Sequence, residues 1–253
     1  MIRVGLMGFG KAGQAVATVL QQQPDMQLAW VMRQHANPQN STIADTSIPV
    51  LGLDQISWNE CLNQYPIDAL IDFSRPEALH HYAQPIAERG IDLVTAISAY
   101  AEADMRLLQQ LGQQTRVLSS PNITLGINFL MLAAGLLRRI APFADVEIVE
   151  QHFREKPEVS GTARKIAEKL ELNEEQITSL RIGGIVGHHE VIFGFPHQTV
   201  RLTHESIRRE AFGTGAAYAL RLLHQQSTGF YTFDQLLLQQ IQQELLKESS
   251  SVV

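Results

Sequence analysis

Apolar positions in the first half of the chain come in short runs, separated by longer stretches with helical spacing. Arg3–Met7 (RVGLM), Gln27–Met32 (QLAWVM), Ala69–Phe73 (ALIDF), Asp92–Ile97 (DLVTAI) and Arg116–Ser119 (RVLS) read as strands. Ala12–Gln22, Pro76–Arg89 and Ala101–Leu111 read as helices, the second closed by Gly90. Strands alternating with helices of this length build βαβ units, hence a parallel sheet with helices on both faces. Asn37–Val50, polar and with two prolines, reads as a loop.

After Pro121 the pattern changes. Leu125–Ile140 is a long apolar helix, Val146–His152 an alternating strand and Gly161–Leu170 a helix. Three strand-like runs follow without helices between them: Gly184–Val186, Val191–Phe195 and Thr199–Thr203. They predict an antiparallel or mixed sheet, and so a second domain, with the boundary near Pro121-Asn122. Gly213–Leu223 and Phe233–Leu246 read as closing helices, and the tail Glu248–Val253 as frayed.

Bulk properties narrow the function classes. The 253 residues are 45% hydrophobic and 18% charged, enough for two cores. A net charge of −6 argues against a general nucleic-acid binder, which needs a basic face. The single cysteine, Cys61, can form no internal disulfide and has no activating partner nearby in sequence. No apolar stretch reaches the ~18 residues of a membrane span, and the N-terminal apolar run breaks into glycines where a signal peptide would continue. A cytoplasmic protein without a membrane partner is the expectation.

Chemistry concentrates in two places. Gly8-Phe9-Gly10-Lys11-Ala12-Gly13 is a GxGxxG between a strand and a helix, where glycines permit a tight turn and seat a pyrophosphate on the helix N-terminus. Where an acid would hold the ribose of NAD, Arg33 stands instead, twenty residues beyond Gly13. A guanidinium there suits the 2′-phosphate of NADPH, with Lys11 assisting, and NADH is the alternative cofactor. Asp72–Glu77 (DFSRPE) follows a strand and has the makings of a helix start: Ser74 as cap, Pro76 in the first turn, then Glu77.

The second place is VEIVEQHFREKPEVSGTARK, Val146–Lys165. His152 is matched to proton transfer near neutral pH, and Lys156 offers a point charge to a carboxylate. Their spacing of four would put both on one face of a strand or helix through them. Ser160-Gly161-Thr162 opens a helix whose free N–H groups favour an anion. The pattern fits a substrate with carboxylates that needs a proton, and equally a capped surface loop. His80-His81, His188-His189, His197 and His204 are scattered, and no metal site is expected.

With these residues assembled, the chain resembles the 4-hydroxy-tetrahydrodipicolinate (dihydrodipicolinate) reductases of lysine and diaminopimelate synthesis. The likeness rests on the glycine loop, DFSRPE, SPNITLGIN at Ser119–Asn128 and EIVEQHFREK…SGTA from Glu147 to Ala163. It continues through GGIVGHHEVIF at Gly183–Phe193, RREAFGTGA at Arg208–Ala216 and GFYTFDQLL at Gly229–Leu237. The resemblance implies a Rossmann-like doubly wound parallel sheet over residues 1–121, to which 230–253 return. A mixed α/β domain over 122–229 would bind substrate and build a homotetramer. It also implies His152 as proton donor, Lys156 as its helper or a carboxylate ligand, and Gly161 and Thr162 on the other carboxylate. Gly8, Gly10, Lys11, Ala12, Gly13 and Arg33 would bind the dinucleotide, with Phe73 and Asn122 near the nicotinamide. Where the family carries Gly-Thr-Thr-Gly around the nicotinamide ribose, this chain has Ala96-Ile97-Ser98-Ala99, which makes Ser98 the polar side chain at that place. Phe153 replaces a second histidine, and Glu158-Val159 a longer Asp-Ala-Pro link. These departures leave two rivals: a reductase of the same fold for another imine or keto acid, and a non-catalytic dinucleotide-binding protein.

Overall fold

The computed structural model describes residues 1–35 and 41–250, the side chains of 248–250 aside. The chain forms two compact units, Met1–Thr124 with Phe212–Val253, and Leu125–Ala211.

In the first unit the chain runs β1 (Ile2–Met7), α1 (Lys11–Leu20), β2 (Met26–Arg33), β3 (Val50–Gly52), α2 (Trp58–Gln64), β4 (Ala69–Asp72), α3 (Leu79–Arg89), β5 (Asp92–Thr95), α4 (Glu102–Leu111) and β6 (Arg116–Ser119). The second unit supplies α5 (Leu125–Ile140), β7 (Asp145–His152), α6 (Gly161–Leu170), β8 (Ile177–Arg181), β9 (His188–Phe195) and β10 (Gln198–Glu205). The chain then returns to the first unit through α7 (Glu210–His224), β11 (Gly229–Thr232) and α8 (Phe233–Ser250).

The first sheet has seven strands in the order β11-β6-β5-β4-β1-β2-β3, all pairs parallel. Its central strands are apolar at successive positions because each face is covered. Ala69, Ile71, Val94 and Leu118 enter the core beneath α1 and α7, while Leu70, Leu93 and Val117 enter the one beneath α2, α3 and α4. Strand order reverses between β1 and β4, and the crevice beyond the carboxyl ends of such a pair is where ligands bind in open α/β sheets.

The return begins at Phe212, eighteen residues before the expected 230, and the first boundary falls after Thr124 rather than Pro121. Small residues on α7 are the reason. A Cβ on Gly213 would lie 2.6 Å from Val19, and one on Gly215 would lie 2.1 Å from the Ile123 carbonyl oxygen. Ala216, Ala217, Ala219 and Leu220 complete the same core.

The second sheet is mixed, in the order β10-β9-β7-β8, with β7 and β8 parallel and the other pairs antiparallel. One of its faces packs Val146, Ile148, Val191 and Phe193 on Ile127, Leu130 and Ile166 of α5 and α6. Gly184–Val186, expected as a strand, is a turn and its exit, because Gly183 takes a left-handed φ of +52° and ends the extended path. The strand in that region is the more polar Ile177–Arg181. Of the expected Asn37–Val50 loop, residues 37–40 lie outside the described residues, and Thr42 bridges Pro49. The expected frayed tail begins as the last turn of α8, and 251–253 lie outside the described residues. Cys61 is buried, and burial pushes its thiol up to about 12, well away from a reactive thiolate.

Candidate functional site

In the first unit the glycine loop leaves β1 at the switch point. Gly8 takes φ +96° and donates its N–H to the Met32 carbonyl at 2.8 Å. A Cβ on Gly8 would stand 2.7 Å from the Phe73 carbonyl, so only glycine lets these two strand ends close up. Gly13 serves packing: its Cβ would lie 2.0 Å from the Gly8 oxygen. Gly10 faces open space and leaves the start of α1 without a side-chain cap. A cleft of ≈ 660 Å³ opens here, lined among others by Gly8, Gly10, Arg33, Phe73, Ser74 and Arg75. Four of the expected dinucleotide residues therefore share one cleft. Lys11 is exposed on the first turn of α1, and neither it nor Ala12 or Gly13 lines the cleft wall.

Asp72 shapes the wall opposite the glycine loop. Its fully buried carboxylate accepts from Tyr82 Oη at 2.6 Å, Ser74 N at 2.8 Å and Ser74 Oγ at 2.6 Å. Burial raises this carboxyl to about 6, and the bonds from Ser74 and Tyr82 hold it back from going higher. Ser74 is consequently no helix cap: its hydroxyl serves Asp72, and a single 3₁₀ turn starts at Pro76 after Arg75. Ser98 is exposed beyond β5, and the Asn122 carbonyl accepts from Ser120 Oγ at 2.7 Å beyond β6. Neither lines the cleft.

The second unit builds its site on β7. Glu150 and His152 are two apart on a strand and so point to one face, where both are buried. Arg181 Nη2 donates to Glu150 Oε1 at 2.8 Å and Nη1 to Oε2 at 3.0 Å. Ser179 Oγ at 2.7 Å and the Ser160 N–H at 3.2 Å also reach Oε1, and His152 Nδ1 lies 2.5 Å from Oε2. Burial alone would raise this carboxyl, but bonds from Arg181, Ser179, His152 and Ser160 outweigh it and hold Glu150 at about 2. His152 Nε2 faces Gly187, where a Cβ would lie 3.2 Å away.

Lys156 and His152 do not share a strand face, because β7 ends at His152 and the chain turns, with Lys156 N–H donating to the Phe153 carbonyl at 3.1 Å. Lys156 is half-buried, and its ammonium has no ion-pair partner among the described residues. Ser160 caps α6, its Oγ accepting from Ala163 N at 3.5 Å and meeting His189 Nε2 at 2.8 Å. Gly161 is exposed with open space around it, and Thr162 follows, half-buried. The His189 ring stands edge-on to His152 with centroids 5.3 Å apart. Burial first, then His152 and His204, push it down to about 3, so it is a neutral neighbour. Sequence reasoning missed Glu150, Arg181 and His189 as members of this site. An acid in phase with His152 on an otherwise apolar strand face was the available signal.

This arrangement has the chemistry to deliver a proton in a unit that also offers a lysine and a helix start suited to carboxylates. The first unit offers a glycine-lined cleft beside an uncapped helix start, which suits a phosphate. Family models decide the lineage: residues 2–123 match the N-terminus of dihydrodipicolinate reductase and residues 123–237 its C-terminus. The chain belongs to the dihydrodipicolinate reductase family. Its curated relatives include a 4-hydroxy-tetrahydrodipicolinate reductase of Caldanaerobacter subterraneus subsp. tengcongensis, 29% identical over 261 residues, 94% of this chain and 98% of the relative. Another, from Thermosipho africanus, is 32% identical over 195 residues, 76% of this chain and 88% of the relative. A dipicolinate-bound dihydrodipicolinate reductase from Paenisporosarcina sp. TG-14 superposes with a TM-score of 0.79 at 20% identity, covering 92% of this chain and 97% of that one. That likeness speaks for the fold alone. As a dihydrodipicolinate reductase-type protein the chain is an NAD(P)H-dependent oxidoreductase.

Proposed function

We propose that the chain converts 4-hydroxy-tetrahydrodipicolinate, a cyclic imine dicarboxylate, to tetrahydrodipicolinate with NADPH in lysine and diaminopimelate biosynthesis. Loss of water gives the unsaturated dihydrodipicolinate, which takes the hydride and a proton on adjacent ring carbons. The observation that carries this reading is His152, buried and bonded to Glu150 in the unit where Lys156 and the start of α6 offer two carboxylate sites. When bound, the dinucleotide supplies the hydride. Its pyrophosphate suits the left-handed Gly8 turn, the open space over Gly10 and the uncapped start of α1, with Gly13 letting the helix close on that turn and Ala12 assigned beside it. Arg33 in the cleft suits a 2′-phosphate, and we assign Lys11, on the first turn of α1, to assist it. Phe73, Ser98 and Asn122, beyond the ends of β4, β5 and β6, are assigned to the nicotinamide end.

His152 delivers the proton to the ring carbon adjacent to the one that takes the hydride. Lys156 pairs with one substrate carboxylate. The start of α6 at Gly161 and Thr162, at the positive end of the helix dipole, receives the other, with Ser160 fixing the helix start through its cap. We assign the enzyme to the cytoplasm as a homotetramer with neither nucleic acid nor membrane as partner. Its net charge of −6 speaks against a nucleic-acid partner, and no helix among the described residues is long and apolar enough to cross a membrane.

The test is direct. Substrate is generated in situ from pyruvate and aspartate semialdehyde by a synthase, and NADPH absorbance is followed. Loss of absorbance that depends on this protein supports the reading; folded, NADPH-binding protein without turnover overturns it. A second reading, reduction of another imine or keto acid, draws on the exposed Phe153 and on Ala96–Ala99. A panel of such acids separates the two.

A further inference from the structure

We propose that the Glu150–Arg181 pair is the positioning element of this site, fixing which nitrogen of His152 exchanges the proton and anchoring the loop that carries Lys156. The inference rests on reading His152 as the proton donor. Glu150 is fully buried, so it does not meet substrate. Its carboxylate is ionised and can only accept, so the 2.5 Å contact requires a proton on His152 Nδ1. That leaves Nε2, on the Gly187 side, as the atom that gives and recovers a proton.

Arg181 carries the second half of the argument. Its Nη1 donates to Glu150 Oε2 and the Leu180 carbonyl, its Nη2 to Glu150 Oε1 and the Glu158 carbonyl, and its Nε to the Lys156 carbonyl. All five guanidinium donors are thereby engaged, two of them on the loop between His152 and α6. The Ser160 N–H adds the helix start to the same carboxylate. Proton donor, lysine loop and the start of α6 thus converge on one ion pair, its carboxylate buried and its guanidinium partly so. A lysine at 181 would keep the charge but lose the fork.

Glu150→Gln makes the idea testable. The glutamine oxygen is claimed at the Oε1 position by Arg181 Nη2, Ser179 Oγ and the Ser160 N–H. That puts the amide NH₂ at the Oε2 position, toward His152 Nδ1, at the loss of the one bond from Arg181 Nη1 to that position. The ring must then accept at Nδ1 and carry its proton on Nε2, the wrong tautomer. We expect kcat to fall roughly 10²-fold or more, the scale of a lost general acid, while substrate KM and NADPH Kd stay within about threefold. The tautomer itself is read by long-range ¹H–¹⁵N NMR of the neutral ring, assigned with His152→Ala. Native protein should show Nδ1–H, and Glu150→Gln should show Nε2–H.

A native ring protonated on Nε2 overturns the proposal, whatever the variant does. So does folded Glu150→Gln protein that keeps both kcat and tautomer, the outcome a merely structural ion pair predicts. If the native protein turns over no dihydrodipicolinate yet its ring is Nδ1–H and reverses in the variant, the positioning role stands and only the substrate assignment falls.

Discussion

Replacing Gly13 by alanine places a methyl carbon 2.0 Å from the Gly8 carbonyl oxygen. Real Cβ contacts essentially never fall under 3.0 Å, so α1 and the glycine loop must separate by about 1 Å or more. Both partners are backbone, so no flexible side chain can yield. The cost therefore lies near the upper end of the overpacking range, about 3 kcal/mol. At roughly 2–4 °C per kcal/mol for a chain of this size, Tm should drop by about 6–12 °C. Gly10→Ala is the matched control. Nothing lies within 4 Å of its added methyl and its φ of −76° is ordinary, so stability should hold within about 0.5 kcal/mol, and Tm within about 1–2 °C. That methyl enters the cleft, however, and NADPH affinity should fall about tenfold or more, ~1.4 kcal/mol. Thermal melting and a fluorescence titration on the same samples separate the two effects. If Gly13→Ala melts like the native protein, or Gly10→Ala binds NADPH unchanged, the division of the loop into packing and binding glycines is wrong.

His152→Ala should lower kcat roughly 10²-fold or more with NADPH Kd unchanged, measured by steady-state kinetics and titration; a near-native kcat removes it from the chemistry. Arg33→Ala should weaken NADPH by about ten- to a hundredfold, the worth of a charge-assisted bond to phosphate, and leave NADH unaffected; equal losses for both would contradict the 2′-phosphate assignment. The neutral, buried His189 makes the fold acid-sensitive. The unfolded chain takes up its proton near the ordinary 6.5 and the folded chain only near 3, so this stability is complete above pH 6.5 and is lost as pH falls toward 3. The slope approaches about 1.4 kcal/mol per pH unit, and Glu150, ordinarily at 4.5 and held at about 2, adds a second loss below pH 4.5. Tm against pH from 7 to 4.5 should be flatter in His189→Asn, and parallel curves would refute the linkage.

The parts of the fold legible in the sequence were those whose burial leaves a long or repeated mark. Continuous apolar runs marked β4, β5 and β6 because both sheet faces are covered. Three-residue β3 and seven-residue α2 are too short to show a period, although Ser57 and Glu60 form a capping box at the start of α2. β8 is an edge strand with mostly exposed side chains, so it shows no apolar alternation, and its pairing with β7 is a tertiary fact. α7 was placed with the wrong unit because its glycines and alanines say that something packs closely, not what does. At the site, His152, Lys156 and the Ser160 cap were legible as residue types at a strand-to-helix crossing. Glu150 was not, because a buried acid reads as a break in the pattern until Arg181, thirty-one residues later, is seen to neutralise it.

The most direct test of the account follows one atom. The protein is given dihydrodipicolinate and NADPH deuterated on the transferable position of the nicotinamide, and the product is weighed by mass spectrometry. The account predicts tetrahydrodipicolinate one mass unit heavier than from unlabelled NADPH, formed at a rate that His152→Ala cuts about 10²-fold. Folded, NADPH-binding protein that forms no product, or product without the deuterium, would contradict it.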